Sequence, residues 1–265
     1  MPRNFKLTLA YDGHDFAGWQ VQPDRPTIQG SLVSAIEHLT GEKTLPQGSG
    51  RTDAGVHALA QVATVTLESP IPAANLAAAL NDVLPSSIRV LRAQEAPPDF
   101  HARKSSLAKT YQYRIYRSDI CPPFLARYVY HHPYPLEEDR MMQAAGVAVG
   151  EHDFTSFAAV DPEVRKASLE TNNVRTIFSS AWQRQGDELL YTVRGNGFLH
   201  HMVRNLVGTF LFLGKTASGK ASSAKSPGAD FTRILEARDR SAAAATAPAS
   251  GLFLVSVEYP SDSHI

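Results

Sequence analysis

Phe5, Leu7, Leu9 and Tyr11 alternate with Lys6, Thr8 and Ala10, and further on Ile28, Leu32, Ala35, Ile36 and Leu39 recur at helical spacing. A period of two marks a half-buried strand, and a period near 3.6 marks an amphipathic helix. The chain therefore alternates between two kinds of element, and each must bury its apolar face against the other. Thr27 supplies an N-cap for the first helix and Gly41 its stop. The same reading predicts strands over 57–67, 88–96 and 107–117, with a helix over 73–84 closed by Pro85. A second half follows with strand 127–132, helix 136–149, strands 174–182 and 188–195, helix 199–213, a short helix over 231–238 and a last strand over 252–259. This order is that of a β-α-β-β-α-β ferredoxin-like unit with a helix added. The expected fold is α+β: two ferredoxin-like, RRM-like halves, 1–118 and 119–265, sharing an extended, mainly antiparallel sheet with a central cleft and helices on the outer face. No sequence repeat marks a duplication, so element order alone carries the two-half reading.

Composition narrows the setting. A chain of 265 residues with 43% hydrophobic residues has enough apolar side chain for a sizeable core. Its single cysteine, Cys121, has no internal partner and stands in no zinc-ligand spacing, which points to a reducing, cytoplasmic environment. No signal pattern opens the chain, and no apolar run approaches the roughly 20 residues needed to span a bilayer. Lys and Arg together number 26 and so do Asp and Glu, so net charge neither favours nor excludes a polyanionic partner. Distribution decides.

Two stretches depart from the average. GKTASGKASSAKSPGA, 214–229, is rich in small residues and carries Lys215, Lys220 and Lys225 with no acid; it reads as a flexible loop, either a solvated linker or a basic arm. FHARKSSLAKTYQYRIYRS, 100–118, carries Arg103, Lys104, Lys109, Arg114 and Arg117 without an acid, interleaved with Tyr111, Tyr113 and Tyr116. Cations that meet phosphates and rings that stack on bases suit RNA. Tyr111, Tyr113 and Ile115 also share one strand face and serve equally as core. In the helix over 199–213, Leu199, Met202, Val203, Leu206, Phe210 and Leu213 form an apolar stripe that leaves His200, His201, Arg204 and Asn205 on the polar flank. Adjacent helical histidines point about 100 degrees apart and make a poor metal pair.

GSGRTDAGVHALAQ, 48–61, holds a lone carboxylate, Asp53, two residues after Arg51 in a glycine-rich bend. The glycines permit a tight turn and close approach by a ligand. GxxxxGK[ST] is absent, which removes a phosphate-cradling P-loop, and no second carboxylate stands nearby for a metal cage or an acid–base pair. A neighbouring guanidinium favours the charged carboxylate, which suits a nucleophile or an electrostatic stabiliser. The plain alternative is an Arg-x-Asp ion pair that fixes a turn.

YDGHDFAGWQVQ (11–22), GRTDAGVHALAQV (50–62), DFHARKSSLAKTYQYRI (99–115), DFTSF (153–157), GFLHHMVRNLVG (197–208) and the stretch 236–260 together resemble the tRNA pseudouridine synthase A family, in its order. The resemblance implies isomerisation of uridine to pseudouridine at positions 38, 39 and 40 of the tRNA anticodon stem-loop, by a homodimer that needs no cofactor and no metal. It also implies roles. Asp53 is similar to the family's catalytic aspartate, Tyr111 to its active-site tyrosine, and Arg204 to the basic residue that pairs with the aspartate. Arg51 would help hold the flipped-out nucleotide, while Arg103, Lys104, Lys109 and Arg114 are candidates for phosphate contacts.

The chemistry needs few groups. The N1–C1′ bond breaks, the uracil turns while trapped, and C5 joins C1′, with no atoms gained or lost. An ionised Asp53 has three routes open to it: attack on C6, attack on C1′, or assistance to proton loss at C2′ through a glycal. Tyr111 stacks on the uracil or removes the C5 proton. A base inside a stem is out of reach, so it must be flipped at a cost of roughly a few kcal/mol. Two rivals remain at this level: a non-catalytic pair of RRM-like modules, which has no use for the GRTD loop, and a glycoside hydrolase, which requires a second carboxylate.

Overall fold

The computed structural model describes residues 1–159, 172–215 and 226–260. The chain divides into two compact units: Met1–Lys109 together with the C-terminal stretch from Phe253, and Thr110–Leu252.

The first unit runs β1 (Arg3–Tyr11), α1 (Ile28–Thr40), β2 (Gln47–Gly48), β3 (His57–Leu67), α2 (Ala73–Val83) and β4 (Ile88–Ala96). Strand β1 is antiparallel to both β3 and β4, and β2 is antiparallel to β3. Spatial order is thus β4-β1-β3-β2, the order of a β-α-β-β-α-β unit whose second strand is reduced to two residues. A two-residue strand has too few side chains to show a period, which is why sequence reading passes over β2. Strand β10 (Leu252–Glu258) lies alongside the start of β3, parallel to it, with Phe253 opposite His57 and Leu254 opposite Ala58. The last strand, from Phe253, groups with the first unit, and the division between the units falls at Lys109/Thr110 where 118/119 was expected.

Helix α1 forms where its caps dictate. Thr27 Oγ1 accepts from Gly30 N, and Gly41 takes the left-handed conformation at φ 74° while its amide closes on Glu37 O. Its apolar stripe, Ile28, Leu32, Ala35 and Ile36, is buried, as are Phe5, Leu7, Leu9 and Tyr11 of β1. Burial of one such side chain contributes about 1.5 to 3 kcal/mol, so this face outweighs any local preference of the helix.

In the second unit, which starts within β5 (Ala108–Tyr116), come β6 (Tyr130–His131), α3 (Glu138–Val147), β7 (Gly150–Asp153), β8 (Val174–Gln185), β9 (Glu188–Gly195), α4 (Met202–Leu213) and α5 (Pro227–Glu236). Its strands lie in the order β5-β9-β8-β7. Trp182, Tyr191, Phe210 and Phe231 pack ring against ring, with centroids 4.9 to 6.2 Å apart. The class is α+β, as the sequence predicts.

Three expected boundaries move. The strand over 127–132 shrinks to Tyr130–His131, because turns occupy 122–128 and Pro133 cannot donate to a ladder. Helix α4 begins at Met202 rather than 199, since His201 stands in the left-handed region at φ 59° and ends any helix path through it. The stretch read as loop to 229 gives way to α5 at Pro227, a residue suited to the first turn because its missing N–H would be unbonded there anyway. Residues 216–225 of that stretch, with Lys220 and Lys225, lie outside the described residues. Among the described residues no helix is long and apolar enough to cross a membrane.

Candidate active site

Asp53 lies in the loop between β2 and β3, and both flanks of that loop are anchored. Before it, the Ser49 hydroxyl donates to Gln61 Oε1 at 2.6 Å and the Ser49 amide to Val62 O at 2.7 Å. Gln61 Nε2 donates to Gly50 O at 2.9 Å, and Thr52 Oγ1 shares a 2.9 Å hydrogen bond with Tyr11 OH. After it, Val56 N donates back to Asp53 O at 3.1 Å. Ser49, Thr52 and Gln61 are buried, whereas Asp53 is half-buried and Arg51 exposed. The main chain is held while the two charged side chains keep a path to solvent.

The stretch 11–22 clamps this loop. Trp19 N donates to Thr52 O at 3.0 Å, Gly55 N to Phe16 O at 3.3 Å, and Gly13 N to His57 Nδ1 at 3.1 Å. Contact is so close that side chains are excluded. A Cβ at Gly13 would fall 1.9 Å from Val56 O, and one at Gly18, where φ is 99°, would fall 2.6 Å from Thr52 O. The clamp in turn caps α1: Gly18 O and Trp19 O accept from Ile28 N and Gln29 N, two of the amides that a helix start leaves without partners. His57 is fully enclosed, with Asp12 Oδ1 3.1 Å from its Nδ1 and the Phe253 ring stacked on it at 4.7 Å.

Beside the loop opens a cavity of about 460 Å³ lined by Arg51, His101, Arg103 and Lys104, together with Trp19 and the amides of Gln20 and Gln47. Among the described residues no carboxylate lines it. The turn that carries Arg103 and Lys104 is tied down: His101 Nδ1 accepts from Arg103 N at 3.1 Å, and Ser105 and His101 exchange main-chain and hydroxyl bonds at 2.9 and 3.1 Å. Both cationic side chains are exposed. Such a site suits an anionic ligand with planar groups, within the volume range of nucleotide-sized pockets.

The remaining expected residues make contacts of their own. Lys109 is buried, with its ammonium 3.5 Å from where a Cβ at Gly50 would stand, so it lies against the loop rather than out in solvent. Arg114 places Nε and Nη2 on the two carboxylate oxygens of Glu188, each at 2.7 Å, a fork already filled. Tyr111 belongs to the second unit and meets the Phe198 ring edge-on at 5.0 Å. Arg204, also in the second unit, donates from Nε to Ala247 O at 2.8 Å, and Ala247 N returns to Arg204 O at 3.1 Å. His200 and His201, expected to diverge on a helix, lie outside α4 with ring centroids 4.0 Å apart.

Burial pushes the Tyr11 phenol up to about 12, with its bonds to Thr52 and Gln61 acting the other way. Tyr113 is raised as well, chiefly by burial, which outweighs the opposing Arg204 charge. Sequence reading missed Tyr11, Thr52, His57 and Gln61 as parts of the site. A polar Gln inside the apolar strand ALAQVATV was the one available signal, since a buried amide must find partners.

Residues 8–103 and 144–260 match the family model described as tRNA pseudouridine synthase. A protein of Solibacter usitatus named tRNA pseudouridine synthase A is 51% identical over 257 residues, covering 97% of this chain and 100% of that one. Its namesake from Latilactobacillus sakei is 41% identical over 262 residues, covering 98% and 100%. A third, from Halalkalibacterium halodurans, is 44% identical over 247 residues, covering 93% and 89%.

Proposed function

The chain belongs to the tRNA pseudouridine synthase family, isomerases that convert uridine in tRNA to pseudouridine, and we propose that Asp53 is its catalytic group and the anticodon stem-loop, positions 38 to 40, its target. The observation that carries the assignment of Asp53 is the anchored loop: bonds at Ser49, Gly50, Thr52 and Val56 hold the backbone on either side of a carboxylate that keeps a path to solvent. A charge meant only to fix a turn has no use for so much buried support around it. Whichever of C6, C1′ or C2′–H the carboxylate engages, it must hold one position while the uracil detaches and turns.

The cationic cavity supports RNA as the ligand. Arg51, Arg103 and Lys104 are proposed to take phosphates or planar edges of the strand that flanks the target base. Tyr111 and Arg204 are carried as substrate-binding residues on the resemblance of their motifs. A homodimer in the cytoplasm completes the reading, the compartment supported by the single Cys121.

Unmodified tRNA transcripts incubated with the protein and mapped base by base test the target directly. Pseudouridine at 38, 39 or 40 is expected, and formation only at other positions would move the target. Asp53→Asn keeps shape and removes charge, so it should bind tRNA and form no detectable product. A folded Asp53→Asn protein that isomerises near the wild-type rate would end the catalytic assignment.

A further inference from the structure

Gln61 has no solvent exposure, and its side-chain amide is fully employed. Oε1 accepts from Ser49 Oγ at 2.6 Å and from Val62 N at 3.1 Å; Nε2 donates to Gly50 O at 2.9 Å and to Tyr11 OH at 3.4 Å. Tyr11 carries the connection on to Thr52 Oγ1 at 2.9 Å. One side chain thereby reaches residues 49 and 50 directly and residue 52 through a phenol, and the residue after 52 is Asp53. Two strands converge to make this possible. Leu9 pairs with Gln61 but Tyr11 pairs with Ala58, so Leu59 and Ala60 together stand against Ala10 alone. A bulge of this kind turns the side chains on either side of it relative to a regular ladder. Ser49, Val62, Tyr11 and Thr52 are buried, so water has little access to their bonds, and only Gly50 is half-buried.

Resting on the reading of Asp53 as the catalytic group, we infer that Gln61, acting through Ser49, Gly50 and the Tyr11–Thr52 bond, is a positioning residue for the carboxylate. It touches no substrate. Its work is to fix the distance and direction of the loop before the uridine arrives, where a displacement of about 1 Å costs on the order of a hundredfold in rate. The phenol at Tyr11 stays neutral through the physiological range, so its proton remains available for the bond to Thr52.

The test compares small substitutions along the chain of bonds, read by melting temperature, tRNA affinity and single-turnover isomerisation at saturating tRNA. Tyr11→Phe and Thr52→Val each delete the bond between the two hydroxyls while keeping shape. Thr52→Ser keeps the hydroxyl. The expected result is a rate about tenfold lower for Tyr11→Phe and Thr52→Val, tRNA affinity within about twofold of wild type, and a wild-type rate for Thr52→Ser. Gln61→Met should lose more rate than either where it folds. Wild-type rates for folded Tyr11→Phe and Thr52→Val, with only the melting temperature lowered, would overturn the inference and leave Asp53 untouched. Asp53→Asn run beside them separates the two claims: near-wild-type turnover there removes the catalytic reading and this inference together.

Discussion

At the scale of single residues, the site is defined as much by side chains that are absent as by those present. Gly13 and Gly18 let the stretch 11–22 approach the aspartate loop until carbonyl oxygens occupy the space where a Cβ would be. Gly41 offers a control, since it also has a positive φ, 74°, but nothing lies within 4 Å of its Cβ position. Gly41→Ala should therefore cost only the left-handed penalty of about 1 to 2 kcal/mol and leave isomerisation per folded molecule unchanged. Gly18→Ala adds a collision with the Thr52 carbonyl at 2.6 Å, so it should lower stability further and also lower single-turnover rate. Melting curves and rapid-quench assays on the pair decide this; equal activity losses in both variants would show that strain alone matters.

At the scale of elements, helix α1 does more than cover a sheet. Its first amides are bonded by Gly18 O and Trp19 O, so the helix start and the clamp over the loop share one set of hydrogen bonds. Thr27→Ala removes the cap to Gly30 N and should destabilise the protein by about 1 kcal/mol, whereas Thr27→Ser should retain most of the cap. Chemical denaturation gives the number; a Thr27→Ala protein as stable as wild type would mean that the clamp carbonyls alone hold the helix end. Helix α4 meets a different constraint. A Cβ at Gly208 would fall 1.9 Å from Ala245 O, so the small-residue stretch SAAAATAP runs where it does because α4 presents a glycine to it.

At the scale of the whole molecule, charge and burial set how the protein answers to its solution. Net charge is zero, so salt-dependent RNA binding must come from local clusters such as Arg103 and Lys104. Replacing both by Gln should reduce the slope of log affinity against log salt by about two, while Arg114→Gln should leave it unchanged because Glu188 already holds that guanidinium. Filter-binding titrations across salt concentrations separate the cases; a flattened slope for Arg114→Gln would return it to the RNA face. Alkaline stability follows from buried phenols. Tyr11 ionises near 10 when unfolded and near 12 when folded, so the unfolded chain gives up its proton first. The contribution is complete below pH 10, about 3 kcal/mol for this group, and is lost as pH rises to 12. Tyr113 and Tyr191 are shifted the same way by burial, so unfolding monitored by fluorescence should steepen above pH 10, and Tyr11→Phe should soften that fall.

What the sequence determined by itself is local: the period of β1, the stripe and both caps of α1, the run of β3, and the glycine-rich bend that carries Asp53. These need only neighbours within a turn or a pleat, and those neighbours are printed side by side in the chain. Arg51, Arg103 and Lys104 were also legible as cations, since surface charge answers to solvent rather than to packing. What tertiary structure alone decided is everything that joins distant residues. Strand β10 returns to β3 across the whole second unit, Arg114 meets Glu188, and Gln61 meets Ser49, Gly50 and Tyr11. A buried amide must be bonded, but its composition does not say by whom. The choice of partner is made by the register of β1 on β3 and by a bulge, and these are set by how two sheet faces and their helices pack together, not by the identity of Gln61.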